Sequence, residues 1–412
     1  MTSDRPLRLA CHGWVHEHAG SVASAGHVVL QELLRRGVTV DFFAHRSHVP
    51  PSPELTEAGY RYFGFDQNTL LRALDRIPGM PGAVIGRAFG PLSRRYWRNT
   101  LQPPLRIEHE RAPYDAVLTL GTTRVLTLPG VPNVTWLQSP FQTELEAITR
   151  LRPQIVSVSG LPFYALAVSN YRVKALLQGY KPTPSEHLIV GSHWSRDAMV
   201  AAGMRAARTH ALPYPVDLET FTPEPASAHD PERPLLLSLG RLDPRKRLDL
   251  LLDAFALVLE ATPGARLRIV GRPGYAPNQL SLIERFPRRD AVDYHPAIPR
   301  TEVPALLREV SVLVQTSENE NFGSSVAEAL ACGTPVVVGP TNGTADYIDP
   351  NSEVFGGYEP RAVADSILSV LAAQRERPGE LRASARAAAE RWFAAPVVAD
   401  RLLEIIDEAI AA

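Results

Sequence analysis

Glu320 and Glu328 stand with seven residues between them in SENENFGSSVAEALACGTPVVVG, Ser317 to Gly339. Two carboxylates at the mouth of a fold can accept hydrogen bonds from a ligand or steady positive charge. The preceding run VSVLVQTS reads as a buried strand whose carboxyl end empties into ENENFGSS, and open α/β sheets bind ligands beyond such ends. Ser325 and Glu328 also form S-x-x-E, a capping box opening the helix SSVAEALACG, which gives Glu328 a purely structural reading. Glu320 has no such reading: it precedes Phe322-Gly323, where glycine lets the backbone approach a ligand closely. From the pair alone, a binding site and an ordinary loop charge followed by a helix cap both stand.

A second group lies in LSLGRLDPRKRLDLL. Arg241 falls just past an apolar strand and Lys246 near the start of the following helix. Two cations beside a helix N-terminus make an anion site, and a compact ammonium with rotatable donors suits a diphosphate. Of the 43 Lys plus Arg residues, only Lys174, Lys181 and Lys246 are lysines, so the lysine here is a selective choice. The alternative is a solvated basic helix start. The chain contains neither GxxxxGK[ST] nor GxGxxG, which removes the support for ATPase and dehydrogenase readings.

Other chemistry-bearing residues carry less. His12, His16 and His18 in CHGWVHEHAG lack regular metal-ligand spacing, and a hydrogen-bonded loop lining the site is the better reading; no metal site is expected. Arg87, Arg94, Arg95, Arg98 and Trp97 lack the sustained apolar stripe of a membrane-surface helix, so a solvated face is favoured over a membrane patch. Cys11 and Cys332 sit in apolar contexts and read as buried thiols of a reducing compartment.

The elements that must position these groups follow from periodicity. The runs Leu7 to Gly13, Val38 to His45, Tyr114 to Gly121, Asn133 to Gln138 and Glu186 to Ser192 read as strands. The run HVVLQELLRRG is a helix with Gly37 as its stop, so the chain opens with a β-α-β unit. Gln67 to Ala112 shows no sustained period. A Pro- and acid-rich linker, Leu212 to Pro234, precedes a second series: strand LLLSLG, helix KRLDLLLDAFALVLE, strand ARLRIVG, strand VSVLVQTS, helix SSVAEALACG and strand TPVVVG. Leu248, Leu251, Leu252, Phe255 and Leu259 line one face of the long helix. The tail PVVADRLLEIIDEAI is an amphipathic helix entered at Pro396. With 412 residues, 45% hydrophobic and 21% charged, the chain is globular and too long for one ordinary core. Its net charge of -1 gives no electrostatic footprint for nucleic acid. The expected fold class is α/β, with two doubly wound Rossmann-like parallel-sheet domains facing a cleft. The expected division is an acceptor-side domain over 1–213, a donor domain over 214–391, and a last helix over 392–412 returning toward the first domain.

Together these motifs resemble those of the GT-B-fold glycosyltransferases of family 4, the family that includes sucrose, trehalose and mannosyl-lipid synthases. GRLDPRKRLDLLLDAF is similar to the family's GR-x4-K stretch and ENENFGSSVAEALACGTPVV to its E-x7-E signature. IVGSHWSRDAMVAAG followed by LPYPVDLETFTP resembles its hinge region. The resemblance implies that Arg241 and Lys246 hold the donor diphosphate, Glu320 contacts the transferred sugar and Glu328 binds the ribose hydroxyls. It implies backbone N–H groups from Asn321, Phe322 and Gly323, and a glycine-rich first turn placing Gly20 and Ser21 near the diphosphate. Three positions depart from the pattern: Ser21 replaces a second glycine, Gln138 replaces a site histidine, and Arg247 replaces the glycine after the lysine.

The resemblance further implies a retaining, metal-independent transfer in which the leaving phosphate takes the acceptor proton, with a nucleoside-diphosphate sugar as donor substrate and no cofactor. The expected acceptor is a small hydroxylated metabolite or saccharide. The alternatives are a sugar-nucleotide epimerase or hydrolase on the same fold, a membrane-surface enzyme with a lipid acceptor, and a non-catalytic nucleotide-sugar-binding partner. No apolar run approaches the ~18 residues of a membrane span and no signal-peptide core is visible, so a cytoplasmic protein is expected.

Overall fold

In a computed structural model of the protein, residues 5–15, 21–45, 53–57, 59–65, 90–121, 124–137, 141–178, 186–225 and 229–412 are described. Two sheets, every ladder parallel, organise the described residues. The first contains β1 (Arg8–Gly13), β2 (Thr39–His45), β3 (Arg61–Phe65), β4 (Ala116–Leu120), β5 (Asn133–Trp136), β6 (Glu186–Val190) and β7 (Thr209–Ala211), in the order β3-β2-β1-β4-β5-β6-β7. The second contains β8 (Leu235–Leu239), β9 (Arg266–Val270), β10 (Val292–His295), β11 (Val312–Gln315), β12 (Val336–Val338) and β13 (Glu353–Val354), in the order β10-β9-β8-β11-β12-β13. Each sheet is the core of a doubly wound Rossmann-like domain, the architecture expected for each half. In each sheet the strand order reverses once, between β1 and β4 and between β8 and β11, and such reversals open ligand crevices at the strands' carboxyl ends.

The chain forms two compact units. One comprises Met1–Gln142, Asn170–Pro215 and Ala395–Ala412; the other comprises Thr143–Ser169 and Val216–Ala394. Within the first, the last helix, Ala395–Ala411, packs on the helix Ser21–Arg35. Arg36 fastens the two helices by pairing with Glu32 at 2.8 Å, with Asp400, and with the Pro396 carbonyl at 2.9 Å. In the second unit, Leu248, Leu251, Leu252, Phe255 and Leu259 of the helix Leu248–Ala261 are all buried, the face the periodicity assigns to the core. Fully burying a leucine or phenylalanine side chain stabilises by roughly 1.5–3 kcal/mol, so this stripe anchors the helix behind β8.

Two sequence expectations are corrected, and four short strands are added. The first helix starts at Ser21 rather than after Gly26: Ala23 and Ala25 favour helix, and Gly26 is the small residue that lets it lie against Val15 and the Trp14 backbone. The stretch after Gln67 is not irregular to its end, because Gly90–Arg111 is one helix that continues through Pro103 and Pro104. Each interior proline costs ~3 kcal/mol in a free helix, but Leu101 and Leu105 beside them are completely buried and Gln102 exchanges hydrogen bonds with the Thr127 backbone. Finally, β3, β7, β10 and β13 are two to five residues long and were not legible as strands.

Candidate active site

The second sheet brings the two sequence motifs side by side because β8 and β11 are hydrogen-bonded neighbours, with Leu236 opposite Val312 and Leu237 opposite Leu313. Arg241 follows β8 and Glu320 follows β11, so both emerge at the carboxyl ends of the two strands that flank the reversal. The turn Pro244–Lys246 is then stitched to the segment after β11. The Thr316 hydroxyl donates to the carbonyls of Lys246 (2.9 Å) and Arg247 (3.0 Å), and the Glu318 N–H donates to the Arg245 carbonyl at 2.8 Å. On the other side, the Glu320 N–H donates to Thr341 O at 3.0 Å and the Gly343 N–H donates to Glu320 O at 2.8 Å. Glu320 is thus fixed by backbone on both flanks.

Its carboxylate receives two cations on one oxygen: Arg245 Nη1 at 2.9 Å from Oε2, and Lys246 Nζ on the same atom. Burial alone would raise the Glu320 pKa. The charges of Arg245 and Lys246, with their hydrogen bonds, outweigh it and bring the group down to about 2. Arg245 in turn is held protonated: burial works against its charge, and Glu320, then Glu144 and Asp243, restore it. Arg241 leans on Asp243 at 3.2 Å, and its side chain is 71% exposed, free to swing toward an arriving anion.

Arg247, the departure from the glycine pattern, adopts φ 52°, the left-handed conformation that explains why glycine suits the position. Its guanidinium leaves the turn: it pairs with Glu318 Oε1 and with Asp249 at 3.0 Å. Arg150 takes the other oxygen of Glu318 at 2.9 Å and reaches Asn319 Oδ1 at 2.9 Å, while Asn319 Nδ2 donates to Thr143 O at 2.9 Å. Cations and carboxylates alternate here, so three consecutive basic residues coexist in a small buried volume.

The capping box is not formed. The helix Ser324–Ala331 has Gly323 as its N-cap at φ 85°, without a side-chain cap, and Ser325 Oγ accepts from Gln315 Nε2 at 3.0 Å. Glu328 turns instead to Arg300, which grips both carboxylate oxygens at 2.7 and 2.8 Å while its guanidinium lies 4.7 Å from the Phe221 ring centre. Asn321 and Phe322 are buried, and Phe322 packs edge-on against Phe393 with ring centres 5.6 Å apart. A Cβ at Gly323 would meet Asn342 Oδ1 and Gln315 Oε1, each at 2.8 Å, so the position accepts only glycine without rearrangement.

Sequence reasoning missed Arg245, Arg300 and Glu318. Arg245 and Glu318 carried a faint signal, since each adjoins an assigned group in PRKR and SENEN. Arg300 carried none, lying 28 residues from its partner. Of the residues assigned in the first unit, Ser21 is the first residue of its helix, whereas Gly20 and Gln138 lie outside the described residues. His12 sits on β1 and bonds to the Phe43 carbonyl through Nδ1 at 2.7 Å; His16 and His18 lie outside the described residues. Arg95 and Arg98 are exposed on the helix Gly90–Arg111, where Trp97 packs half-buried onto the core; Arg87 is not among the described residues. Cys11 and Cys332 are both free and buried.

With this geometry in place, residues 222–392 match the family model for glycosyl transferases, group 1. A D-inositol 3-phosphate glycosyltransferase of Xylanimonas cellulosilytica is 33% identical over 54% of this chain and 60% of its own length. A GDP-mannose-dependent alpha-(1-6)-phosphatidylinositol dimannoside mannosyltransferase of Mycobacterium tuberculosis is 32% identical over 40% of this chain and 44% of its own length. The chain therefore spans about half the length of the curated relatives it matches. The solved structure of HepE from Anabaena, in complex with UDP and glucose, covers 97% of this chain and 99% of its own at TM-score 0.61 and 16% identity, a likeness of fold.

Proposed function

We propose that the protein transfers a sugar, with retention of anomeric configuration, from a nucleoside-diphosphate sugar to a hydroxylated small molecule or saccharide. The observation that carries this reading is the convergence of Lys246 and Arg245 on Glu320 at the β8–β11 reversal. Breaking an anomeric C–O bond puts negative charge on the departing diphosphate and positive character on the sugar ring. Cations held in a preorganised, partly buried site stabilise the first, and an ionised carboxylate stabilises the second. Arg241 and Lys246 take the diphosphate, Glu320 the sugar, and Glu328 the ribose hydroxyls. Asn321, Phe322 and Gly323 contribute main-chain donors. The positive charge needed at the diphosphate is supplied by side chains, so the transfer proceeds without a metal, and the departing phosphate oxygen accepts the acceptor's proton.

The names of the inositol-phosphate and phosphatidylinositol-mannoside relatives support a polyol-containing acceptor, soluble or lipid-borne. A small polyol is the acceptor proposed, with a lipid-borne one as the alternative.

The test is turnover of UDP-glucose and GDP-mannose against a panel of polyol and saccharide acceptors. Glu320→Ala and Lys246→Ala should each lower transfer by about 10²-fold or more. Full activity in both would sink the site assignment. Donor conversion without an acceptor would favour an epimerase or hydrolase, and binding without any turnover would favour a non-catalytic partner.

A further inference from the structure

The two cations on Glu320 are not equivalent. Lys246 ends a flexible four-carbon stem and, of the two, has the more exposed side chain. Arg245 is more deeply buried, and its guanidinium also reaches the Asn319 carbonyl at 3.4 Å. Its main-chain carbonyl is latched by the Glu318 N–H. Both cations use Oε2 of Glu320, and among the described residues no hydrogen bond reaches Oε1.

We propose that Arg245 is a positioning residue that holds Glu320 ionised and in place through Oε2, so that Lys246 can turn to the donor diphosphate while Oε1 accepts a sugar hydroxyl. This rests on the donor reading above. When a diphosphate enters beside Arg241 and Lys246, it competes with Glu320 for the lysine ammonium. A partly buried carboxylate that lost its only cation next to a new anion would take up a proton and become a donor instead of an acceptor. A second, backbone-latched cation prevents that. The planar guanidinium suits the task because its fork is already oriented and little freedom is lost on binding. The low proton affinity of Glu320 is consistent with this, since Arg245 is the leading charge that lowers it.

The experiment compares UDP with UDP-glucose, and GDP with GDP-mannose, by calorimetric titration of the full chain from pH 4.5 to 8. The wild type should prefer one sugar nucleotide over its diphosphate across the whole range. Arg245→Gln should bind the diphosphate within about twofold of wild type yet lose about tenfold of the sugar-dependent gain, with the loss deepening as pH falls. Glu320→Gln marks complete loss of the gain. Arg245→Lys, which keeps the charge but not the fork, should fall between wild type and Glu320→Gln, and it carries the test if Arg245→Gln does not fold. An equal weakening of diphosphate and sugar nucleotide, or an unchanged preference in either variant, would overturn the role of Arg245. A wild-type protein that binds none of the four probes would instead overturn the donor reading itself.

Discussion

Arg300 and Glu328 face each other through two hydrogen bonds of 2.7 and 2.8 Å, and the pair ties the short turn Arg300–Glu302 to the helix after the Glu320 loop. The carboxylate is buried and the guanidinium is about one-third exposed, resting on Phe221. A bidentate fork holds the Glu328 carboxylate in one orientation, and under the proposed donor reading its outer lone pairs would take the ribose hydroxyls. Arg300→Met leaves a buried carboxylate without its cation and should cost about 2–3 kcal/mol, below the range for fully buried pairs because the arginine is partly solvated. Adding Glu328→Gln should recover at least part of that loss. Denaturant midpoints of the two single variants and the double variant form the cycle that checks it, and additive losses would show that the pair is not coupled.

Arg247 combines an unfavourable backbone with favourable ion pairs, and the two can be separated by substitution. A non-glycine residue at φ 52° costs about 1 kcal/mol, while Glu318 and Asp249 stabilise the side chain. Arg247→Ala loses the ion pairs and keeps the strained backbone; Arg247→Gly loses the ion pairs and relieves the strain. The glycine variant should therefore be more stable than the alanine variant by about 1 kcal/mol, and both should be less stable than wild type. Urea unfolding of the three proteins decides it, and a glycine variant weaker than alanine would contradict the conformational argument.

These two arginines show where the sequence was readable and where it was not. Arg241, Lys246, Glu320 and the strands carrying them are local signals: short continuous apolar runs, a turn, and a polar loop at the strand's end. The meeting of Lys246 with Glu320 follows once β8 and β11 are neighbours, which the doubly wound pattern implies. Of the two readings open for Glu328, the cap fails: S-x-x-E is a sufficient local reason for one, and only tertiary structure supplies the competing Arg300. The helix Gly90–Arg111 was missed for the opposite reason, since Pro103 and Pro104 argue against a helix that burial of Leu101 and Leu105 sustains. Arg247 is a mixed case: a departure visible in the sequence, whose consequence depended on a backbone angle and on Glu318.

In the first unit, His187 on β6 and His210 on the edge strand β7 share one hydrogen bond, Nδ1 to Nε2 at 3.0 Å. The ring planes differ by only 11°, and the centroids are 5.1 Å apart, so the bond lies nearly in the plane of both rings. Only one proton fits between them. Burial pushes both imidazoles below the usual histidine value, His210 to about 4, and Arg208, Arg196 and Arg401 add to the effect; Glu408 of the last helix, 3.9 Å from His210, opposes it. The sign follows: a histidine whose folded pKa is lowered contributes stability that is present above its unfolded pKa. That stability is lost as pH falls from about 6.5 toward 4, because the unfolded chain takes up the proton first. Stability of this unit should decline over that window by on the order of 1–2 kcal/mol, and His210→Gln should flatten the decline. Thermal unfolding from pH 7.5 to 4, followed for both proteins, reads the slope directly; parallel curves would remove the histidine pair from the account.

The Glu320 loop depends on a buried amide network behind it. Asn342 Nδ2 donates to Gln315 Oε1 at 2.5 Å, and Asn342 Oδ1 accepts from the Thr344 N–H and hydroxyl at 3.1 and 2.8 Å. Gln315 Nε2 in turn donates to Ser325 at 3.0 Å, so the end of β11, the start of the next helix and the 342–344 turn share one network. Gly323 passes directly over it. Gly323→Ala places a methyl 2.8 Å from both amide oxygens at φ 85°, so it strains the backbone and displaces the network together. Asn342→Ala leaves the geometry at Gly323 open but strands the Gln315 carbonyl without its donor. Each change should cost about 1–3 kcal/mol of stability. Their effects on donor binding should differ. Gly323→Ala moves the residue between Glu320 and the helix, and should weaken UDP-glucose or GDP-mannose binding by about tenfold. Asn342→Ala leaves the Glu320 main-chain bonds to Thr341 and Gly343 in place and should weaken it by less. Parallel unfolding and binding titrations separate the two effects, and a Gly323→Ala protein that binds like wild type would show that the loop does not require glycine at this position.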